Sequence, residues 1–113
     1  MRLSSRLTLA LFLVITFSLA LTPAQAATFS VCTLGDLTTA ITTANTNTQA
    51  DVIDFNCSTV LNFTSQLSIL NDGAGNGITI NANGNAVTFD RVGAPTQFFI
   101  VSTGANLTLN GLT

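Results

Sequence analysis

The sequence contains no histidine, lysine, tryptophan or tyrosine, and charged residues make up only 7% of it. Without histidine, and with only two cysteines, the usual zinc sites and the Ser-His-Asp and Cys-His catalytic arrangements cannot be assembled. We therefore expect no catalytic residue of these classes, no metal site and no cofactor.

Positive charge is equally scarce. The three cations are Arg2, Arg6 and Arg91, so only one of them lies beyond the N-terminal region. A surface that binds nucleic acid needs several cations to neutralise phosphates, which excludes nucleic acid as a partner.

The first 26 residues have the organisation of a secretory signal peptide. Arg2 and Arg6 precede an almost wholly apolar run over residues 7–21, Pro23 interrupts it, and Ala24-Gln25-Ala26 is the small-x-small pattern that signal peptidase accepts. We expect cleavage after Ala26. The alternative is a retained membrane anchor, but the run is shorter than the roughly 20 residues that span a bilayer. The protein is therefore predicted to be exported, to the extracellular space or the cell surface (the outer membrane if the cell is Gram-negative), with no transmembrane helix after signal removal.

Export changes the interpretation of the two cysteines, Cys32 and Cys57. In an oxidising compartment a disulfide between them is the default, and it would close a loop of about 25 residues. The alternative is two buried thiols that do not form a disulfide.

A short helix is predicted over about residues 34–44. Thr33 and Asp36 form an N-terminal capping signal, and Asn45 follows the last apolar residue. The apolar residues fall on one stripe of a helix: Leu34, Leu37, Ala40, Ile41 and Ala44. We expect this stripe to lie across one end of the strands that follow, as a cap.

From Asp51 onward the apolar period changes to two. Short strands, each bounded by turn-forming residues, are predicted at Val52–Phe55, Val60–Phe63, Leu67–Leu70, Ile78–Ile80, Val87–Phe89, Phe98–Val101 and Leu107–Leu109.

An internal repeat suggests how these strands are arranged. Ile78-Thr79-Ile80-Asn81 recurs as Leu107-Thr108-Leu109-Asn110, and Val60 and Val87 mark a similar spacing. Three strands per circuit of about 26 to 31 residues predict the start of a parallel β-helix, an all-β solenoid with one short N-terminal capping helix. Residues 27–50 would be the cap and 51–113 the first rungs. A two-sheet sandwich remains the alternative.

Asn81 and Asn110 occupy equivalent positions of the repeat. Stacked asparagines can form a ladder of side-chain amides. The alternative is two ordinary turn residues that tolerate left-handed backbone dihedrals.

Four segments together resemble one protein family. They are Cys-Thr-Leu-x-x-Leu-x-x-Ala-Ile-x-x-Ala-Asn at residues 32–45, Asp-Val-Ile-Asp-Phe-x-Cys at 51–57, Ile-Thr-Ile at 78–80, and Gly-Ala-Asn-Leu-Thr-Leu-Asn-Gly-Leu-Thr at 104–113. This order resembles the N-terminal part of secreted bacterial right-handed β-helix proteins of the polymorphic outer-membrane type. The resemblance implies further rungs beyond Thr113, so that the chain would be a fragment. An alternative is a small disulfide-stabilised domain that is complete in itself.

The function implied by the resemblance is that of a non-enzymatic, adhesin-like scaffold that is secreted or held at the cell surface, with a surface carbohydrate or host molecule as its ligand. The alternative is the N-terminal part of a polysaccharide lyase or glycoside hydrolase, because such enzymes use the same solenoid. Asp51 and Asp54 bracket one short strand, and Asp90 and Arg91 form a local pair. We expect structural or solvated roles for these groups rather than acid–base catalysis.

Overall fold

The computed structural model of the chain describes residues 26–71, 77–93 and 97–113. The predicted signal peptide lies outside the described residues, apart from Ala26. The elements, in chain order, are β1 (Thr28–Val31), α1 (Leu34–Ala44), β2 (Asp51–Phe55), β3 (Thr59–Phe63), β4 (Leu67–Ile69), β5 (Gly77–Asn81), β6 (Val87–Arg91), β7 (Phe99–Val101) and β8 (Asn106–Asn110).

The strands form three small parallel sheets. One has four strands in the order β1-β2-β5-β8, and the other two are the pairs β3-β6 and β4-β7. Every strand pair within the described ranges is parallel. The paired strands are far apart in sequence. Between β1 and β2 the chain forms α1, whereas between the strands of every other pair it contributes strands to the other two sheets.

The alternation of side chains along each strand accounts for the core. In β2, Ile53 and Phe55 are fully buried, whereas Val52 and Asp54 between them are half-buried. Because successive side chains point to opposite faces of a strand, one face of each sheet contributes to a common apolar interior. Phenylalanine rings fill much of that interior, with Phe63 and Phe89 at a centroid separation of 5.0 Å.

Helix α1 begins and ends at the residues that the periodicity indicates. Thr33 is its N-cap and, as predicted, Asp36 completes a capping box with it. Four residues of the apolar stripe, Leu37, Ala40, Ile41 and Ala44, are buried, while Leu34 is half-buried against the same core. Since threonine is a poor helix former, this packing holds the helix in place.

The predicted all-β, right-handed parallel β-helix is wrong as a description of this fold. The described residues form short parallel strands in small sheets, about 14% of them are helical, and neither a solenoid nor a closed sheet is shown. Two of the three sheets have only two strands each, and α1 supplies part of the shared core. Over the described residues, the coarser expectation of mostly strand with one short helix agrees with the structure.

One strand was not predicted. β1 (Thr28–Val31) lies in the range that we assigned to the cap, yet it is a strand of the four-stranded sheet and pairs with β2. The alternation of Phe29 and Val31 with polar neighbours is the signal that would have identified it.

Among the described residues, no helix has both the length and the apolar character needed to cross a bilayer.

Candidate functional site

Cys32 and Cys57 form a disulfide, as predicted, with their Cα atoms 5.6 Å apart. Cys32 directly precedes the capped start of α1, and Cys57 follows the end of β2. The bond therefore joins the beginning of the helix to the four-stranded sheet. By the chain-entropy relation, a loop of this length corresponds to about 3 kcal/mol of stabilisation.

A line of four polar residues crosses the four-stranded sheet. Ser30 of β1 lies in register with Asp54 of β2, Asp54 with Asn81 of β5, and Asn81 with Asn110 of β8. We call these four residues the polar row. It lies on the face of the sheet opposite the inner residues Ile53 and Ile80, because it is displaced from them by one position in each strand.

Side-chain hydrogen bonds run along the polar row. The Nδ2 group of Asn110 donates to Oδ1 of Asn81 at 2.8 Å, and Nδ2 of Asn81 donates to Oδ1 of Asp54 at 2.9 Å. At the other end, Nδ2 of Asn56 donates to Oγ of Ser30 at 2.8 Å. Asn81 and Asn110 have negative φ angles, since neither is among the residues with a left-handed backbone. The structure thus places the two asparagines in an amide ladder rather than in turns.

The carboxylate of Asp54 was not predicted to belong to this ladder. The strand register identifies it, because Asp54 lies one strand before Asn81. The recurring Ile-Thr-Ile-Asn motif covered only β5 and β8, and so it could not extend the ladder to β2 or to Ser30 of β1.

The acidic residues are not brought together. Asp51 and Asp54 are both in β2 but three positions apart, so their side chains lie on opposite faces of the sheet. Asp51 is 1% exposed, and its Oδ1 atom accepts hydrogen bonds of 2.9 Å from the backbone N–H of Ala27 and from Nδ2 of Asn47. Its Oδ2 atom has no hydrogen-bond partner among the described residues.

Asp90 and Arg91 lie in a different sheet, on β6. The Oδ1 atom of Asp90 accepts a hydrogen bond of 2.9 Å from the backbone N–H of Arg91, and Nη1 of Arg91 donates to the carbonyl oxygen of Ser65 at 3.1 Å. The two carboxylates of β2 and this pair therefore do not form one acid–base site.

An open groove of about 530 Å³ lies beside the polar row, where the chain turns after β5 and after β8. It is lined by Asn81, Ala82, Asn83, Gly84, Asn85, Asn110 and Gly111, and we call it the asparagine groove. Asn83 and Gly84 have φ angles of 55° and 81°, which asparagine and glycine tolerate best. The amide of Asn85 is engaged with the backbone, because its Nδ2 donates to the carbonyl oxygen of Phe55 at 2.8 Å. Asn83 remains exposed.

At the start of α1, the carboxylate of Asp36 accepts hydrogen bonds from the backbone. Its Oδ2 atom lies 3.2 Å from the backbone nitrogens of both Cys32 and Thr33. The hydrogen bond from Cys32 is the largest cause that lowers the pKa of Asp36 below its ordinary value, followed by the side-chain and backbone hydrogen bonds with Thr33. The stabilised carboxylate serves the helix cap.

The part of the chain that the structure describes holds no cluster of three or more cysteine or acidic side chains that could bind a metal ion. No family profile, curated protein or solved structure matches the chain.

Proposed function

We propose that the protein is an exported scaffold, secreted or held at the cell surface, that presents polar but almost uncharged side chains. The observation that carries this proposal is the polar row, in which Asp54, Asn81 and Asn110 hydrogen-bond to one another across adjacent strands. Their hydrogen-bonding groups hold parallel strands in register. The use of these side chains to hold strands together supports a structural role for the protein.

The disulfide supports the exported location. Disulfides persist in secreted and cell-surface proteins and are rare in reducing compartments. The bond between Cys32 and Cys57 fits the signal-peptide pattern over residues 1–26, which lies outside the described residues.

The asparagine groove is the surface that we propose for ligand binding. Asparagine amides offer both donors and acceptors without charge, which suits the hydroxyl groups of a neutral carbohydrate. Asn83 is exposed at the turn, and the side-chain oxygen of Asn110 lies at the end of the amide ladder, so both are placed to contact such a ligand.

Fractionation of cells that express the full chain with a C-terminal epitope tag tests the location. We expect the tagged protein in the medium or at a protease-accessible surface, and a variant that lacks residues 7–21 should stay inside the cell. Retention of the unaltered chain in the cytoplasm would contradict the proposal.

Binding to an array of neutral glycans tests the ligand. Asn83→Gly keeps the positive φ angle and removes the amide, so it should weaken binding, whereas Asn62→Ala on an exposed position of β3 should not. If the purified protein instead releases reducing ends from a polysaccharide, the chain is an enzyme and the scaffold proposal fails.

A further inference from the structure

Asp51 lies where the strand register places apolar residues. Its partner in β5 is Ile78, which in turn pairs with Leu107 of β8, so that the three residues form one line on the inner face of the sheet. The carboxylate is almost completely buried, and its Oδ2 atom lacks a partner among the described residues. None of those residues supplies a cation to it. A buried carboxylate without a counter-charge is strongly unfavourable.

Two uncharged groups donate to Asp51, namely Nδ2 of Asn47 and the backbone nitrogen of Ala27. The Ala27 nitrogen donates to Oδ1 of Asp51 at 2.9 Å, and the carbonyl oxygen of Ala27 accepts from the backbone N–H of Val52 at 3.0 Å. Both backbone groups of Ala27, the N–H and the C=O, therefore hydrogen-bond to residues of β2.

The same nitrogen belongs to the bond that signal peptidase is predicted to cut. The sequence Ala24-Gln25-Ala26 places that bond between Ala26 and Ala27. Hydrolysis breaks the C–N bond with one water molecule: the hydroxyl joins the carbonyl carbon of Ala26, and the other proton of the water joins the nitrogen of Ala27. The resulting acid then gives its proton to that amine. The products are a carboxylate on the leader and an α-ammonium group on Ala27.

We propose that removal of the leader after Ala26 converts the hydrogen bond between Ala27 and Asp51 into a buried ion pair. The inference rests on the proposed export. The new ammonium group has three N–H donors in place of one, so it supplies both the missing charge and a donor for Oδ2. The ion pair can form only when Ala27 is the first residue of the protein. Cleavage of the leader therefore increases the stability of the four-stranded sheet.

The chain contains no lysine, which makes the ion pair directly measurable. After processing, the α-amino group is the only primary amine in the protein. The full chain is expressed with its own leader and recovered from the exported fraction, and its first residue is read by mass spectrometry. The protein is then acetylated with an N-hydroxysuccinimide ester, in native buffer and in urea, while the intact mass is followed.

We expect Ala27 as the first residue, and acetylation in native buffer slower than in urea by about tenfold or more, because the paired amine must first separate from Asp51. Asp51→Asn should bring the native rate close to the rate in urea. Asp54→Asn is the matched control, since it lies on the same strand but on the opposite face, and it should leave the rate unchanged.

A second variant separates loss of the ion pair from loss of the fold. Insertion of Gly-Ser between Ala26 and Ala27 leaves Asp51 intact but moves the α-amino group away from it. This protein should keep the circular dichroism of the parent, acetylate at the rate seen in urea, and unfold at a lower temperature.

Three results would overturn the inference: a first residue other than Ala27, equal acetylation rates in native buffer and in urea, or no effect of Asp51→Asn on the native rate. Recovery of the protein with its leader still attached would overturn the proposed export as well. Correct processing with an unprotected amine would overturn only the ion pair.

Discussion

The side-chain amide of Asn110 donates a hydrogen bond of 2.8 Å to the side-chain oxygen of Asn81, its register partner in the adjacent parallel strand. The side-chain amide of Asn81 in turn donates a hydrogen bond to Oδ1 of Asp54. A polar residue that both accepts and donates along the sheet contributes to the pairing of three strands at once.

Asn81→Ala tests this contribution. The substitution removes two side-chain hydrogen bonds and leaves Asp54 and Asn110 without their partner, so we expect a loss of about 1–3 kcal/mol in the free energy of unfolding. Urea denaturation followed by circular dichroism measures it. Asn62→Ala, on the exposed face of β3, is the control and should change the midpoint little. Equal effects of the two substitutions would show that the amide ladder adds nothing.

The disulfide is predicted to stabilise the fold by closing a loop. Replacement of both Cys32 and Cys57 by serine should lower the free energy of unfolding by about 3 kcal/mol. A reducing agent should lower the stability of the parent by a similar amount and have no effect on the double variant. If the parent keeps its midpoint after complete reduction, the bond is not a source of stability.

Truncation of a side chain on the apolar face of α1 should lower the stability of the protein more when that side chain is more deeply buried. Leu37 is fully buried, so Leu37→Ala should cost about 2–5 kcal/mol by loss of apolar burial and creation of a cavity. Leu34→Ala, at a half-buried position of the same helix, should cost clearly less. Thermal unfolding compares the two variants. Similar losses would mean that the helix does not pack on the core as described.

The capping box predicts a pH dependence. Because folding lowers the pKa of Asp36, its contribution to stability is fully present above the ordinary pKa of the carboxyl group, near 3.8, and is lost as the pH falls through the lower pKa of the folded state. Asp36→Asn should therefore unfold at a lower temperature than the parent at pH 7. The difference should shrink below about pH 4. A difference that stays constant down to pH 2 would contradict the assignment.

The strand register was predictable at one place and not at others. The repeat Ile-Thr-Ile-Asn and Leu-Thr-Leu-Asn correctly aligned Ile78 with Leu107. Val60 and Val87 were aligned in the same way, but Val60 pairs with Thr88. Val60 is 57% exposed and Val87 is buried, so their side chains lie on opposite faces and a shift of one residue separates them. The first apolar residue of each strand therefore does not reliably indicate which residues of two strands pair.

Hydrophobic patterning indicated which chain segments are extended, but it did not describe the role of polar side chains in the fold. Asn45 illustrates this: its Nδ2 donates to the carbonyl oxygen of Ser68 and its Oδ1 accepts from the backbone N–H of Leu70, which ties the end of α1 to β4. The sequence identified Asn45 only as the residue that ends a helix. Contacts of this kind depend on residues more than 20 positions apart, and no local pattern encodes them.

The central claim, that strands distant in sequence pair in parallel and carry the polar row, is tested most directly by nuclear Overhauser contacts in the folded protein. The account predicts backbone contacts between Asp54 and Asn81 and between Thr79 and Thr108. Contacts that instead join consecutive strands such as β5 and β6 in antiparallel hairpins would contradict it.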